Sequence, residues 1–210
     1  MKRRKMIKLI ISIIVAIAVI LILIQIFTKK GDEKRRLESL YEELNASQTY
    51  LFEMKQNDDS KTVMAKKGDK TRIDQYAKDS YMTTIVKDNT TYLVLHDREE
   101  YYVYEENNVE QNILTDGFGE VIQKDIITGE DKIKGKKYYF EEYNGSTMFM
   151  ISSTLDADEK DMRTRFYFDK DDNLVYIQTI NGAKQELLKV SIEKEVDDSI
   201  FEIPSTYAEN

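Results

Sequence analysis

His96 is the only histidine of the chain and stands in Leu95-His96-Asp97. An imidazole serves as base in acyl transfer when a nucleophile lies beside it, and the sequence has no Gly-x-Ser-x-Gly turn to present a serine. The expectation is a surface histidine at the end of a strand. Paired carboxylates at Glu99-Glu100, Glu105-Glu106 and Glu141-Glu142 have the residue types of acid–base chemistry. Adjacent residues on a strand point to opposite faces, however, and cannot share a proton. These pairs are expected to be solvated charge that protects sheet edges. Asp169-x-Asp171-x-Asn173 starts like a calcium loop, but Leu174 stands where the loop glycine belongs and Ile180 where the bidentate glutamate belongs. Asp156, Asp158, Glu159 and Asp161 form a second acidic cluster, also without that glycine, and both read as acidic turns. Gly117-Phe118-Gly119 has no lysine with which to hold a phosphate. The absence of cysteine excludes disulfides, thiol chemistry and cysteine-bound zinc. The expectation is a protein that is not an enzyme, with no catalytic, cofactor-binding or metal residue and no cofactor.

One other set of residues could make a site. Aromatics crowd Tyr101–Tyr104, Tyr138–Tyr143 and Phe166–Phe168, with Tyr92 and Phe149 nearby. At strand spacing such side chains fill a core and flank their cross-strand neighbours. The sharper alternatives are a concave apolar pocket or an exposed sheet edge for a protein partner. The spacing does not fix which side chains face inward, so the ligand-binding residues stay unknown.

The elements that would position these residues begin with Leu9–Phe27, an uncharged apolar run. As a helix it would be about 28 Å long, which matches the hydrocarbon core of a bilayer. It outlasts a signal-peptide h-region and no small-x-small site follows it, so an uncleaved single-pass anchor is expected over 9–28. Basic residues flank it on both sides and do not decide its orientation. Seven of the 31 Lys and Arg fall in residues 1–30 and none of the 39 Asp and Glu does, which leaves 24 basic against 39 acidic side chains, net −15. An anionic inner leaflet repels such a domain, which places the N-terminus in the cytoplasm and the domain outside the cell membrane. The same charge argues against nucleic acid as a partner.

Gly31–Asn45 carries Leu37, Leu40, Tyr41 and Leu44 at helical spacing, with Asp32 as the expected cap. The apolar period then shifts from 3.6 to 2. Strands are expected at 48–56, 62–67, 71–76, 80–87, 91–95 and 101–105, then at 131–143, 147–153, 163–168, 174–180 and 186–195. A short helix is expected near 119–126. The chain closes on an extended stretch from Phe201, broken at Pro204. Connections this short permit antiparallel pairing and leave no room for crossover helices. Several strands are apolar on both faces and need cover on each.

An N-terminal helix runs into the Ser-x-Thr-Tyr-x-Phe-x-Met strand of Ser47–Met54. A Phe168-Asp-Lys-Asp-Asp-Asn-Leu174 hairpin comes late, and Phe201-x-Ile203-Pro204-x-x-Tyr207 ends the chain. This order resembles the LolA/LppX-like lipoprotein-carrier superfamily in a Gram-positive, membrane-anchored form, and also the germination lipoprotein GerS. The resemblance implies a curled, antiparallel half-barrel with helices on its concave side. Carriers of that fold hold acyl chains there, and GerS-like members bind and regulate a cortex-lytic amidase.

The expected fold class is thus mainly β (α+β): one N-terminal transmembrane helix and an antiparallel, curled half-barrel sheet of about eleven strands. The expected organisation is a basic cytoplasmic tail (1–8), the transmembrane helix (9–28), a juxtamembrane amphipathic helix (29–47) and a LolA-like β domain (48–210). The expected function is membrane-tethered, extracytoplasmic binding without catalysis. The partners expected are the cell membrane through 9–28 and an envelope protein or a lipid-bearing, acyl ligand. The protein partner is favoured because a fixed tether forbids shuttling. The alternative is a sporulation or germination factor that regulates a cell-wall (cortex) amidase.

Overall fold

The computed structural model describes residues 35–104, 113–122, 125–145 and 162–210. The chain divides into two units, Met1–Arg35 and Arg36–Asn210.

The second unit is built on a regular turn spacing. Two-residue turns at 58–59, 68–69, 78–79 and 88–89 separate β1 (Thr49–Asn57), β2 (Ser60–Lys67), β3 (Lys70–Ala77), β4 (Ser80–Lys87) and β5 (Thr90–Leu95). Asp88 and Asn89 both have positive φ, as does Gly68, and such turns match the twist of paired strands. Strands of similar length joined this tightly can pair only as an antiparallel meander. β6 (Glu100–Tyr104) extends it. β7 (Ile126–Ile133), β8 (Lys136–Asn144), β9 (Met162–Phe168), β10 (Leu174–Asn181) and β11 (Lys184–Glu193) form a second antiparallel run, joined to the first by β1 against β11. The order is β12-β6-β5-β4-β3-β2-β1-β11-β10-β9-β8-β7, where β12 is Ala208–Glu209.

Each face of the sheet has its own cover. Met64 and Ala65 are neighbours on β2, so their side chains point to opposite faces. Met64 joins a core of Phe52, Phe166, Phe168 and Ile177, closed by α1 (Arg36–Ser47) and α2 (Ile113–Ile122). Leu37 and Leu44, one helical face of α1, are buried there. Phe118 of α2 meets the rings of Phe52 and Phe166 edge-on, at centroid distances of 6.1 and 5.9 Å. Ala65 joins a smaller core of Ile85, Val94 and Phe201 on the other face. That core is covered by a strap, residues 194–210, which includes a 3₁₀ helix at Asp198–Phe201.

The expected fold class is corrected in several places. The mainly β content stands, but the sheet has twelve strands and is mixed, because β12 runs parallel to β6. It is also open: no pairing among the described residues joins β12 to β7. No described helix is long and apolar enough to cross a membrane. The transmembrane helix expected over 9–28 lies outside the described residues and is dropped from the fold class, as the strand at 147–153 and the Asp32 cap also lie outside them.

Local differences have physical reasons. The strand expected at 131–143 is the β7–β8 hairpin, turned by Lys134 and Gly135, which both take positive φ. α2 begins six residues before the expected helix and contains both glycines of Gly117-Phe118-Gly119. A Cβ on Gly119 would lie in ordinary contact with the Tyr41 ring of α1, at 3.4 Å, so α2 packs on α1 at this position. The stretch from Phe201 ends a 3₁₀ turn capped by Asp197 and is not a strand.

Candidate functional site

β12 lies beside only part of β6. It pairs with Glu100 and Tyr101, where Ala208 N–H donates to Glu99 O (3.0 Å) and Asn210 N–H donates to Tyr101 O (2.9 Å). Backbone polar groups alternate sides along a strand. The next outward-facing pair of β6 after Tyr101 is therefore the N–H and C=O of Val103, and no described strand lies beside it. Val103 and Tyr104 are 36% and 47% exposed, and among the described residues the only other exposed large apolar side chain is Ile127, on β7. The three thus lie on the strands nearest the two ends of the sheet. β7 carries Glu130, Asp131 and Lys132 along its length, charges of the kind that guard an edge. Tyr102–Tyr104 carries none.

The strap that delivers β12 is pinned beside this edge by a polar chain. Tyr207 OH lies 3.0 Å from His96 Nδ1, and His96 Nε2 lies 2.8 Å from Thr83 Oγ1. Thr83 Oγ1 donates to Asp74 Oδ1 at 2.5 Å, so its single proton is committed. His96 Nε2 must then carry the hydrogen and donate to Thr83, which leaves Nδ1 to accept from Tyr207. Arg72 Nε donates to both Asp74 oxygens at 2.9 Å, and Arg72 Nη1 donates to the Ile200 carbonyl on the strap. The His96 ring stacks on Tyr81 at 3.6 Å, with Tyr207 edge-on. Burial, reinforced by the Arg72 charge, pushes the His96 pKa down against opposing pulls from Asp74 and Asp97. His96 does follow the end of β5, as expected, but it is half-buried and engaged through both nitrogens. Thr83 is 1% exposed, so its hydroxyl is a structural link.

The carboxylate pairs divide. Glu99 and Glu100 lie at the β5–β6 turn and at the start of β6, and Glu105-Glu106 lies outside the described residues. Glu141 and Glu142 point to opposite faces as expected, yet both are buried, which corrects the expectation of solvated charge. Glu141 accepts the backbone N–H of Arg36 (2.6 Å) and of Leu37 (3.3 Å), together with the Tyr143 hydroxyl (2.9 Å). It thereby closes the first turn of α1 from the sheet. On the other face Glu142 pairs with Arg165 at 2.5 Å and Arg163 at 3.1 Å. Asp169 is a turn acceptor: its Oδ1 takes the N–H of Asp171 (2.9 Å) and of Asn173 (3.0 Å). The cluster from Asp156 to Asp161 and Phe149 lie outside the described residues.

The aromatic set is mostly packing. Tyr143, Phe166 and Phe168 enter the helix-covered core, while Tyr92 and Tyr101 pack against the strap-covered one. Tyr138 and Tyr139 line a pocket of about 310 Å³ with Phe168, Arg36 and Lys137. The Arg36 guanidinium lies 4.0 Å over the Tyr139 ring and pairs with Asp172. Sequence reasoning missed the Thr83–Asp74–Arg72 support of His96 and the β12 pairing. A two-residue strand has no period to detect.

No family model matches the chain, and no curated protein matches it. Among solved structures it is similar to one described as an uncharacterized conserved protein from Thermus thermophilus. That likeness has 10% identity and a TM-score of 0.44, over 83% of this chain and 95% of that one.

Proposed function

We propose that this domain is a non-enzymatic binding module that grips an extended segment of an envelope protein along β6. The observation that carries the reading is the outward Val103 backbone pair between half-buried Tyr102 and exposed Tyr104, a segment with no charged side chain of its own. A strand added there gains main-chain hydrogen bonds, while Tyr102 and Tyr104 on one face and Val103 on the other supply selectivity. The inward use of buried charge also supports binding over catalysis: Glu141, Glu142 and Asp74 commit their oxygens to a helix start and to arginines.

The apolar run Leu9–Phe27 and the net −15 of the residues after position 30 support a place at the cell membrane, with this domain on the outer side. The LolA/LppX-like resemblance supports the same setting. Its GerS-like branch suggests a cortex amidase as the protein gripped, and a deletion strain whose spores germinate normally would count against that partner.

Val103→Pro removes the outward N–H where proline is tolerated, at a sheet edge. Envelope extracts passed over the wild-type protein should yield one enriched protein that the Val103→Pro protein loses. A second reading, a lipid-bearing ligand, is favoured by the aromatic pocket whose lining includes Arg36 and Lys137. Lipid that co-purifies in place of protein, insensitive to Val103→Pro and lost in Tyr139→Ala, would replace the first reading by the second.

A further inference from the structure

We propose that the C-terminal strap is a latch sensitive to mild acid, which His96 closes when neutral and releases when protonated, uncovering the rest of the β6 edge. The strap is attached at several places with different chemistry, among them the Arg72 guanidinium and the Lys67 ammonium group, which donate to the Ile200 and Val196 carbonyls. Its 3₁₀ helix is held by charge: Asp198 accepts from Lys67 at 2.7 Å and Lys70 at 3.1 Å, and Glu202 pairs with Lys87 at 2.8 Å. Phe201 is buried in the smaller core. Its far end is held by β12, through two backbone bonds and the Tyr101–Glu209 and Tyr102–Asn210 side-chain bonds, and just before β12 by the Tyr207 hydroxyl on His96.

Only that last contact depends on a group that titrates between pH 5 and 7. The committed Thr83 proton fixes the tautomer, so neutral His96 has one free lone pair and Tyr207 donates into it. A second proton on the ring removes that acceptor and places a cation in a half-buried site. The groups around it are Arg72 and Asp74 of β3, Tyr81 of β4 (itself stacked on Tyr76), Asp97 beside it, and Tyr207 of the strap. Arg72 repels the new charge, and its own partner Asp74 is already engaged by both Arg72 and Thr83.

The sign follows from burial. Burial, then the Arg72 charge, lowers the His96 pKa below its ordinary 6.5. Tyr207 of the strap supplies part of that cover, so the open strap binds the proton more tightly. Closure is complete above about pH 6.5 and weakens as pH falls below it, by at most about tenfold per pH unit for one proton. Release of Tyr207 leaves Ala208–Glu209 held by its own bonds to β6 alone, so β12 opens more often, and each opening lengthens the free edge from Tyr102–Tyr104 to Glu100–Tyr104. That consequence rests on the reading of β6 as the docking strand, whereas the latch itself does not.

The test is amide hydrogen exchange of the full chain at pH 7.5 and 5.5, corrected for intrinsic exchange and followed at Ala208 and Asn210, the two strap amides that bond to β6. The expected result is an opening that rises about three- to tenfold at the lower pH. His96→Gln keeps an amide donor for Thr83 and an oxygen acceptor for Tyr207 but cannot titrate, so its strap should stay closed at both. A wild-type strap with no pH response, or a His96→Gln strap with the same response as wild type, would overturn the proposal. If His96→Gln does not fold, Tyr207→Phe should open the strap at pH 7.5, and unchanged exchange there would overturn it as well. These readings need no partner, so loss of partner capture by the Val103→Pro protein is judged separately.

Discussion

Glu141 of β8 accepts the backbone N–H of Arg36 at 2.6 Å, so a side chain from the sheet closes the first turn of α1 across 105 positions of sequence. The same carboxylate takes the Leu37 N–H and the Tyr143 hydroxyl, and it is fully buried. Glu141→Gln would turn an amide N–H toward donors that need an acceptor. We expect a loss of about 1–3 kcal/mol, the usual cost of a buried donor left unmade. Chemical denaturation checks this. A change under about 0.5 kcal/mol, the range of an ordinary surface substitution, would show that the cap does little.

Phe118 is the side chain through which α2 reaches both Phe52 and Phe166. Phe118→Ala would leave a cavity between helix and sheet and should cost about 3–5 kcal/mol. The near-ultraviolet circular dichroism of the aromatic cluster should weaken with it. Retained signal and stability would mean that α2 is not needed to close this core.

The charged end of the strap gives a second pH response, separate from that of His96. The Lys67 and Lys70 ammonium groups hold the Asp198 carboxyl below its ordinary 3.8, and the Ser199 side chain and backbone do the same for Asp197. A carboxyl whose folded pKa is depressed contributes stability above its unfolded value and loses it as pH falls through the folded value. Strap exchange should therefore accelerate again below about pH 4, in wild type and His96→Gln alike. In Asp198→Asn this lower step should shrink while the His96 step stays. An unchanged lower step would mean that other carboxylates control it.

How much was legible before the structure depends on how local each cause is. The meander from β1 to β5 could be read because its turns recur at ten-residue spacing, with Asp or Asn in every one. The α1 stripe was legible for the same reason, since Leu37 and Leu44 are placed by helical period alone. The β7–β8 hairpin was not, because Lys134 adopts positive φ without the Asn-Gly or Asp-Gly pair that announces such turns. The burial of Glu141 and Glu142 was hidden because their partners, Arg36 and Arg165, come from other elements. His96 shows the limit most clearly. Its position after a strand followed from its neighbours, but its tautomer and its hold on the strap depend on Thr83, Asp74 and Tyr207, the last 111 positions away.

The candidate site has a companion prediction at the other end of the sheet. Ile127 is the most exposed of the large apolar side chains described, yet Glu130, Asp131 and Lys132 share its strand. If charge protects that edge, Ile127→Lys should leave partner capture unchanged while Val103→Lys abolishes it. Equal losses in the two proteins would place the partner on both edges or on neither.

The most direct measurement is photo-crosslinking in intact cells, with the reactive side chain placed at position 103 and, in a parallel strain, at position 127. Docking along β6 predicts one envelope protein joined at 103 through a single extended segment, and no such product at 127. Crosslinks from 103 to lipid alone, or the same protein captured equally from both positions, would contradict it.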